Sequence, residues 1–253
     1  MLNLTRIKTI RTIIDVHSEF HFFPTSVSVQ SYCRKTNAIF LSLLLVGLVG
    51  CDQQNYQAKT TEIHNPQPET LQYQQEFETW KATQNQQHLQ QYQQRIQNQL
   101  QHAPSLYELT LNAHPFDEDC EQYRFALALK SHWNNLLPAL KLLEQLQQQG
   151  LFAHYKIVSV YRSPEANACA RGAKASRHLS NHAVDFQTLD ASMQPYPDDA
   201  IMDQKLCQYW HEHGKALQLG LGLYGKQRYH IDRQGYRTWG IGYGSASSPC
   251  LKP

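Results

Sequence analysis

Between Leu136 and Leu146 the apolar side chains recur three and four residues apart, at Leu136, Leu140, Leu143 and Leu146. That spacing lines one face of an α-helix. Pro138 suits the first turn of the helix, and Gly150 suits its C-terminal stop. Next comes YKIVSVYR (155–162), β-branched and aromatic, which reads as a strand. Residues 182–189 and 229–232 also read as strands, separated by a helix of roughly fifteen residues ending near Leu217. Helices and strands interleave without a regular βαβ rhythm, which predicts a compact α+β domain rather than a doubly wound sheet.

Upstream the pattern changes. From Leu71 to Leu100 glutamine dominates, yet Tyr73, Phe77 and Trp80 form one short helical stripe and Leu89, Tyr92, Ile96 and Leu100 another. The expectation is a Gln-rich helical stalk, or a loose coiled coil, working as a solvated spacer. Residues 52–70, polar and holding Pro66 and Pro68, read as a tether. The globular part is expected to begin near Pro104, with SLYEL from Ser105 and the stretch around Phe116 apolar enough to pack.

The long apolar run at 38–50, AIFLSLLLVGLVG, follows Arg34-Lys35. It falls short of the about 20 residues a bilayer span needs and has the charged and apolar regions of a signal peptide. Its end, Leu48-Val49-Gly50-Cys51, resembles the lipobox of bacterial lipoproteins. The resemblance implies cleavage before Cys51 and a lipid on its thiol. The expected division is therefore a signal peptide over 1–50, a lipidated tether and stalk over 51–103, and a folded domain over 104–253.

Charge adds an exclusion. The chain carries 23 Lys and Arg against 21 Asp and Glu. Five of those bases and two of those acids precede Asp52, leaving 18 bases against 19 acids in the expected mature chain. A basic surface for nucleic acid is not the theme. Beyond Cys51 stand Cys120, Cys169, Cys207 and Cys250, an even number suited to an oxidising compartment and too scattered for Cys-x-x-Cys zinc clusters. Of the three pairings four cysteines allow, Cys120 with Cys169 and Cys207 with Cys250 is the expected one.

Three short segments can build one site. SRHLSNHAVDF (176–186) places His178 and Asp185 seven residues apart, and YHID (229–232) supplies His230. Strand alternation puts His230 and Asp232 on one face and Tyr229 and Ile231 on the other, while Asp185 sits opposite Val184 and Phe186. If the two strands are neighbours, His178, Asp185 and His230 converge as two imidazoles and one carboxylate. Such a set suits a tetrahedral Zn²⁺ with its fourth position open. His182, His211 and His213 are not expected to join it, because alternation turns His182 away and the other two do not share a helix face.

SVYRSPEAN (159–167), GAKASRHLSNHAVDF (172–186) and GLGLYGKQRYHIDRQGYRTWG (220–240) together resemble the zinc D-alanyl-D-alanine carboxypeptidase family, most of all its peptidoglycan-peptidase branch. The likeness spans most of residues 105–243, including LYELTLNAHPFDEDC. It implies a compact α+β fold with a small antiparallel sheet flanked by helices. It also implies His178, Asp185 and His230 as zinc ligands, Arg162 as the substrate-binding arginine, and Ser176 as a residue orienting substrate or ligand. A guanidinium fork suits a D-alanyl-D-alanine carboxylate, and Arg228 or Arg237 are alternatives for that role.

Two positions depart from the family pattern. Asn181 stands where glycine is usual, a change a left-handed backbone tolerates. Gln227 stands where several relatives have the acid that serves as general base, which leaves Asp232 as the expected base or, alternatively, as the acceptor that orients His230.

The sequence thus predicts a lipid-anchored, periplasm-facing zinc metallopeptidase acting on peptidoglycan stem peptides, as carboxypeptidase or cross-link endopeptidase. The alternatives are a non-catalytic peptidoglycan-binding lipoprotein that retains the zinc site, and a scaffold working through its Gln-rich helix.

Overall fold

The computed structural model describes residues 68–114 and 118–252. The apolar run at 38–50, Cys51 and most of the tether lie outside the described residues. Among those described, no helix is long and apolar enough to cross a membrane.

The chain opens with two helices, α1 (Pro68–Thr83) and α2 (Gln86–Gln97), then a short α3 (Leu106–Thr110). Asn85 caps α2 by accepting from the His88 amide, and Ser105 with Glu108 forms a capping box on α3. After two 3₁₀ turns comes α4 (Leu137–Gln148), with Pro138 in its first turn and Gly150, at φ 76°, past its end. Strand β1 (His154–Ser159) leads to a one-and-a-half-turn α5 (Pro164–Cys169), a 3₁₀ turn at Arg177–Ser180, and β2 (Ala183–Leu189). A long α6 (Asp199–Leu217) is followed by β3 (Gly220–Leu223), β4 (Arg228–Asp232) and β5 (Arg237–Trp239).

The five strands order as β1-β2-β4-β3-β5. The α+β class is as the sequence predicts. The sheet is mixed rather than wholly antiparallel, since β5 runs parallel to β3 while the other three pairings are antiparallel. Neither β3 nor β5 reads as a strand from sequence: β3 alternates glycine with leucine, and β5 is three residues long.

One sheet face is the core. Ile157, Val184, Phe186, Leu221, Leu223, Tyr229 and Ile231 are buried there, with Leu140, Leu143 and Leu146 of α4 in the same core. Met202, Leu206 and Trp210 of α6 join them.

The Gln-rich segment corrects an expectation. Phe77 packs in an aromatic group with Trp80, Tyr107 and Phe125. Leu89, Tyr92 and Ile96 are all but fully buried in the same core cluster, with Tyr92 against the Trp133 ring at 5.4 Å. These helices are part of the folded domain, which therefore begins well before Pro104. The stripes seen as a stalk are its packing face, and the glutamines are its solvent face.

Two disulfides brace the fold, Cys120–Cys169 and Cys207–Cys250, the expected pairing. The second ties α6 to the 3₁₀ turn at the C-terminal end.

Candidate metal centre and its cleft

Register across the sheet builds the site. Asp185 pairs with Ser159 on one side and His230 on the other, and His230 pairs in turn with Gly222, which pairs with Trp239. One row of side chains therefore crosses all five strands on the face opposite the core. A second row runs through Ala183, Asp232, Gly220 and Arg237. The glycines of β3 are what let these rows close up. A Cβ at Gly222 would stand 2.7 Å from the Trp239 ring, and one at Gly220 would stand 2.6 Å from Asp232 Oδ2. Leu221 and Leu223 point the other way, into the core.

His178 arrives from the 3₁₀ turn just before β2. Ser176 caps that turn, its hydroxyl accepting from the His178 amide at 3.4 Å, and Asn181 ends it in the left-handed region at φ 58°. Asn181 thus takes the conformation expected of it, and its side chain donates to the His132 carbonyl.

Three donor atoms then converge. His178 Nε2 lies 3.1 Å from Asp185 Oδ1 and 3.1 Å from His230 Nδ1, and His230 Nδ1 lies 2.8 Å from Asp185 Oδ1. All three residues are buried. Their other atoms fix which nitrogen carries a proton. His178 Nδ1 faces the Val160 carbonyl, which can only accept, so Nδ1 donates and Nε2 keeps its lone pair. His230 Nε2 faces the Asp232 carboxylate at 3.0 Å, so it donates there and Nδ1 keeps its lone pair. Two imidazole lone pairs and a carboxylate oxygen are thus aimed at one point. They repel one another unless positive charge stands between them. Ligands about 2.0–2.1 Å from one tetrahedral ion lie about 3.3 Å apart, close to the spacing found. The residues fit a metal ion.

Electrostatics agrees. Burial alone would raise the Asp185 carboxyl, but the Arg162 guanidinium against its Oδ2 holds it well below the usual carboxylate range. Burial, with Arg162 nearby, pushes His178 down to about 4, so it is neutral and able to ligate. Burial would also lower His230, yet the carboxylates of Asp185 and Asp232 beside it raise it.

Arg162, expected to grip substrate, is turned inward. Its Nη2 donates to Asp185 Oδ2 at 2.5 Å and to His114, and its Nε donates to Ser159 Oγ at 3.2 Å. Ser159 in turn donates to Asn112 Oδ1 at 2.7 Å. A chain of bonds thus runs from Asn112 through Ser159 and Arg162 to the second oxygen of Asp185, fixing the first on the metal point.

Asp232, expected as general base, is fully buried behind His230. Its Oδ1 accepts from the Gln234 amide and Arg237 Nη1, and its Oδ2 from His230 Nε2 and Arg237 Nη2. Every acceptor direction is used, so it orients the imidazole and has no oxygen to offer a water. Gln227 is turned away as well, its side chain donating to Asp199 on α6.

The centre opens on a cleft of about 1080 Å³. His114, Ser176, Tyr224 and Trp239 line it, together with Arg171, Arg177, Lys226 and Arg228. Among the described residues lining it, Asp185 is the sole carboxylate. Tyr224 accepts from the Trp239 indole at 3.1 Å, and burial raises its phenol, so its own proton stays on to donate. Tyr229 instead faces away and donates to Asp203. His114, Asn112 and Ser159 were not assigned roles by sequence, and Arg237, an alternative there for the substrate carboxylate, is instead clamped on Asp232. His114 lies within LYELTLNAHPFDEDC, but nothing in its spacing ties it to Asp185.

No curated protein and no solved structure matches this chain. Residues 110–197 match the family model described as Peptidase M15, a family of zinc-dependent peptidases. The matched span takes in Arg162, Ser176, His178 and Asp185, and His230 and Arg237 lie beyond it. The likeness to the zinc D-alanyl-D-alanine carboxypeptidase family, read from three short motifs, thus stands as a Peptidase M15 match over residues 110–197.

Proposed function

We propose that this protein is a zinc peptidase that hydrolyses peptidoglycan stem peptides, as a D-alanyl-D-alanine carboxypeptidase or a cross-link endopeptidase. We place it at the bacterial cell envelope, lipid-anchored through Cys51 and facing the periplasm, where its disulfides would persist. The observation that carries the reading is the convergence of His178 Nε2, Asp185 Oδ1 and His230 Nδ1 at the floor of a cleft.

A zinc ion held by those three atoms supplies electrophilic polarisation of a carbonyl and acidifies water. The chain's own residues do the rest. Arg162 and Asp232 are positioning residues, fixing Asp185 and His230. Ser176 acts through the turn it caps, setting the direction of His178. Tyr224 presents a phenol O–H to the cleft, where it can donate to a developing oxyanion. Proton transfer, assigned by sequence to Asp232, falls to His114 on the cleft wall: its Nε2 accepts from Arg162 Nη2, which leaves its Nδ1–H as the proton it can give.

The test is release of D-alanine, or cleavage of cross-links, from purified muropeptides with and without chelator. Metal-dependent product supports the reading; no such product from any muropeptide refutes the enzyme. One observation favours the alternative, a non-catalytic peptidoglycan-binding module: no second carboxylate lines the cleft among the described residues. Metal-dependent cell-wall binding without product would establish that alternative.

A further inference from the structure

The cleft's cations outnumber what the metal centre uses. Arg162 is tied to Asp185 and Arg237 to Asp232. Arg171, Arg177, Lys226 and Arg228 also line the cleft, and none has a carboxylate partner among the described residues. With Asp185 already neutralised, these four face open space without an anion.

They stand on two separate walls, each rigidly made. The first is the loop from α5 to His178. Arg171 holds a left-handed φ of 50°, and the Gly172 amide donates to the Asn167 carbonyl. The Asn167 side chain reaches across to the Ala173 carbonyl. A Cβ on Gly172 would strike that Asn167 side chain at 2.2 Å, so the loop closes tightly on its own helix. The Cys120–Cys169 disulfide pins its start. Arg177 ends this wall, half-buried and adjacent to His178.

The second wall is the turn into β4. Lys226 and Gln227 are consecutive non-glycine residues at φ 52° and 53°, a conformation that costs energy. Asp199 of α6 holds it, one carboxylate oxygen accepting from the Lys226 amide at 2.7 Å and the other from the Gln227 amide at 2.6 Å. Arg228, half-buried, follows on β4 two residues before His230 and on the same face.

From this arrangement we infer that the cleft reads two carboxylates on its substrate, one on each side of the scissile bond, with Arg177 and Arg228 as the principal contacts and Arg171 and Lys226 beside them. The inference rests on the peptidase reading and narrows it: the substrate is a multiply anionic peptide. Arg162, inward and engaged, is not one of the contacts. A guanidinium that is half-buried and unpaired gains a charge-assisted, bidentate bond when a carboxylate enters, and an amide in the same place leaves it unpaired.

The experiment uses four synthetic stem-type peptides: one with carboxylates on both sides of the scissile bond, two with either one replaced by a carboxamide, and one with both replaced. Binding to metal-free protein is measured by calorimetry, and hydrolysis by zinc-loaded protein separately. Each replacement is expected to weaken binding to the parent protein about tenfold or more. Arg228→Gln should erase the dependence on one carboxylate and keep the other, and Arg177→Gln should do the reverse. Equal binding of all four peptides to the parent protein would overturn the inference, as would variants that weaken all four alike. If the binding pattern holds while no peptide is cut, the peptidase reading fails and the two-carboxylate cleft stands.

Discussion

Asp232 is where the residue scale decides the chemistry. Alternation along β4 places it on the face of His230, which is legible in YHID, but not behind the imidazole rather than beside it. What turns it is Arg237, arriving from β5 to occupy both of its oxygens. Asp232→Asn removes the charge that fixes the His230 tautomer. It should weaken zinc binding about 10–100-fold, read by competition with a chelating dye. Unchanged zinc affinity with lost turnover would instead make Asp232 the base. His114→Gln should do the opposite of the Asp232 change, lowering kcat by about 10²-fold or more while zinc content holds. Full activity in that variant would remove His114 from the mechanism. The convergence of His178, Asp185 and His230 was legible because strand period and two short motifs specify a face. Arg162 was recognisable as important but not in its direction, since nothing local reveals that Ser159 and Asn112 draw it inward.

At the scale of elements, the helix of residues 137–148 and the three apolar strands could be read directly, because each carries a pure period of its own. The two remaining strands could not. Leu221 and Leu223 are the core half of β3, and its other half is glycine for a reason supplied by Trp239 and Asp232, not by β3 itself. The Gln-rich helices show the opposite error, where composition outweighed a real stripe. Ile96 is fully buried, so Ile96→Ala should cost the domain about 2–5 kcal/mol in a urea titration. A solvated spacer would lose nothing measurable, and that result would return α2 to the stalk.

At the scale of the whole molecule, the described residues form a core with the candidate metal centre on the other side of its sheet, and stability should show a pH signature of its own. Burial raises the phenols of Tyr92 and Tyr224, and that of Tyr155 up to about 12. In the unfolded chain these groups ionise near about 10. Between the two values the unfolded state binds fewer protons, so stability falls as pH rises, and below pH 10 these groups cost nothing. Chemical denaturation should therefore show a level stability from pH 8 to 9.5 and a decline above 10. A flat profile to pH 11.5 would mean the phenols are solvated.

The central claim is that two imidazoles and one carboxylate hold a single ion that keeps room for substrate. X-ray absorption at the zinc edge of the loaded protein addresses it most directly. One zinc per chain should appear, with two imidazoles, a light-atom oxygen ligand and at least one further oxygen from solvent, and the signal should collapse in His178→Ala. Sulfur in the coordination sphere, a site closed by a fourth protein side chain, or a spectrum unmoved by that substitution would contradict it.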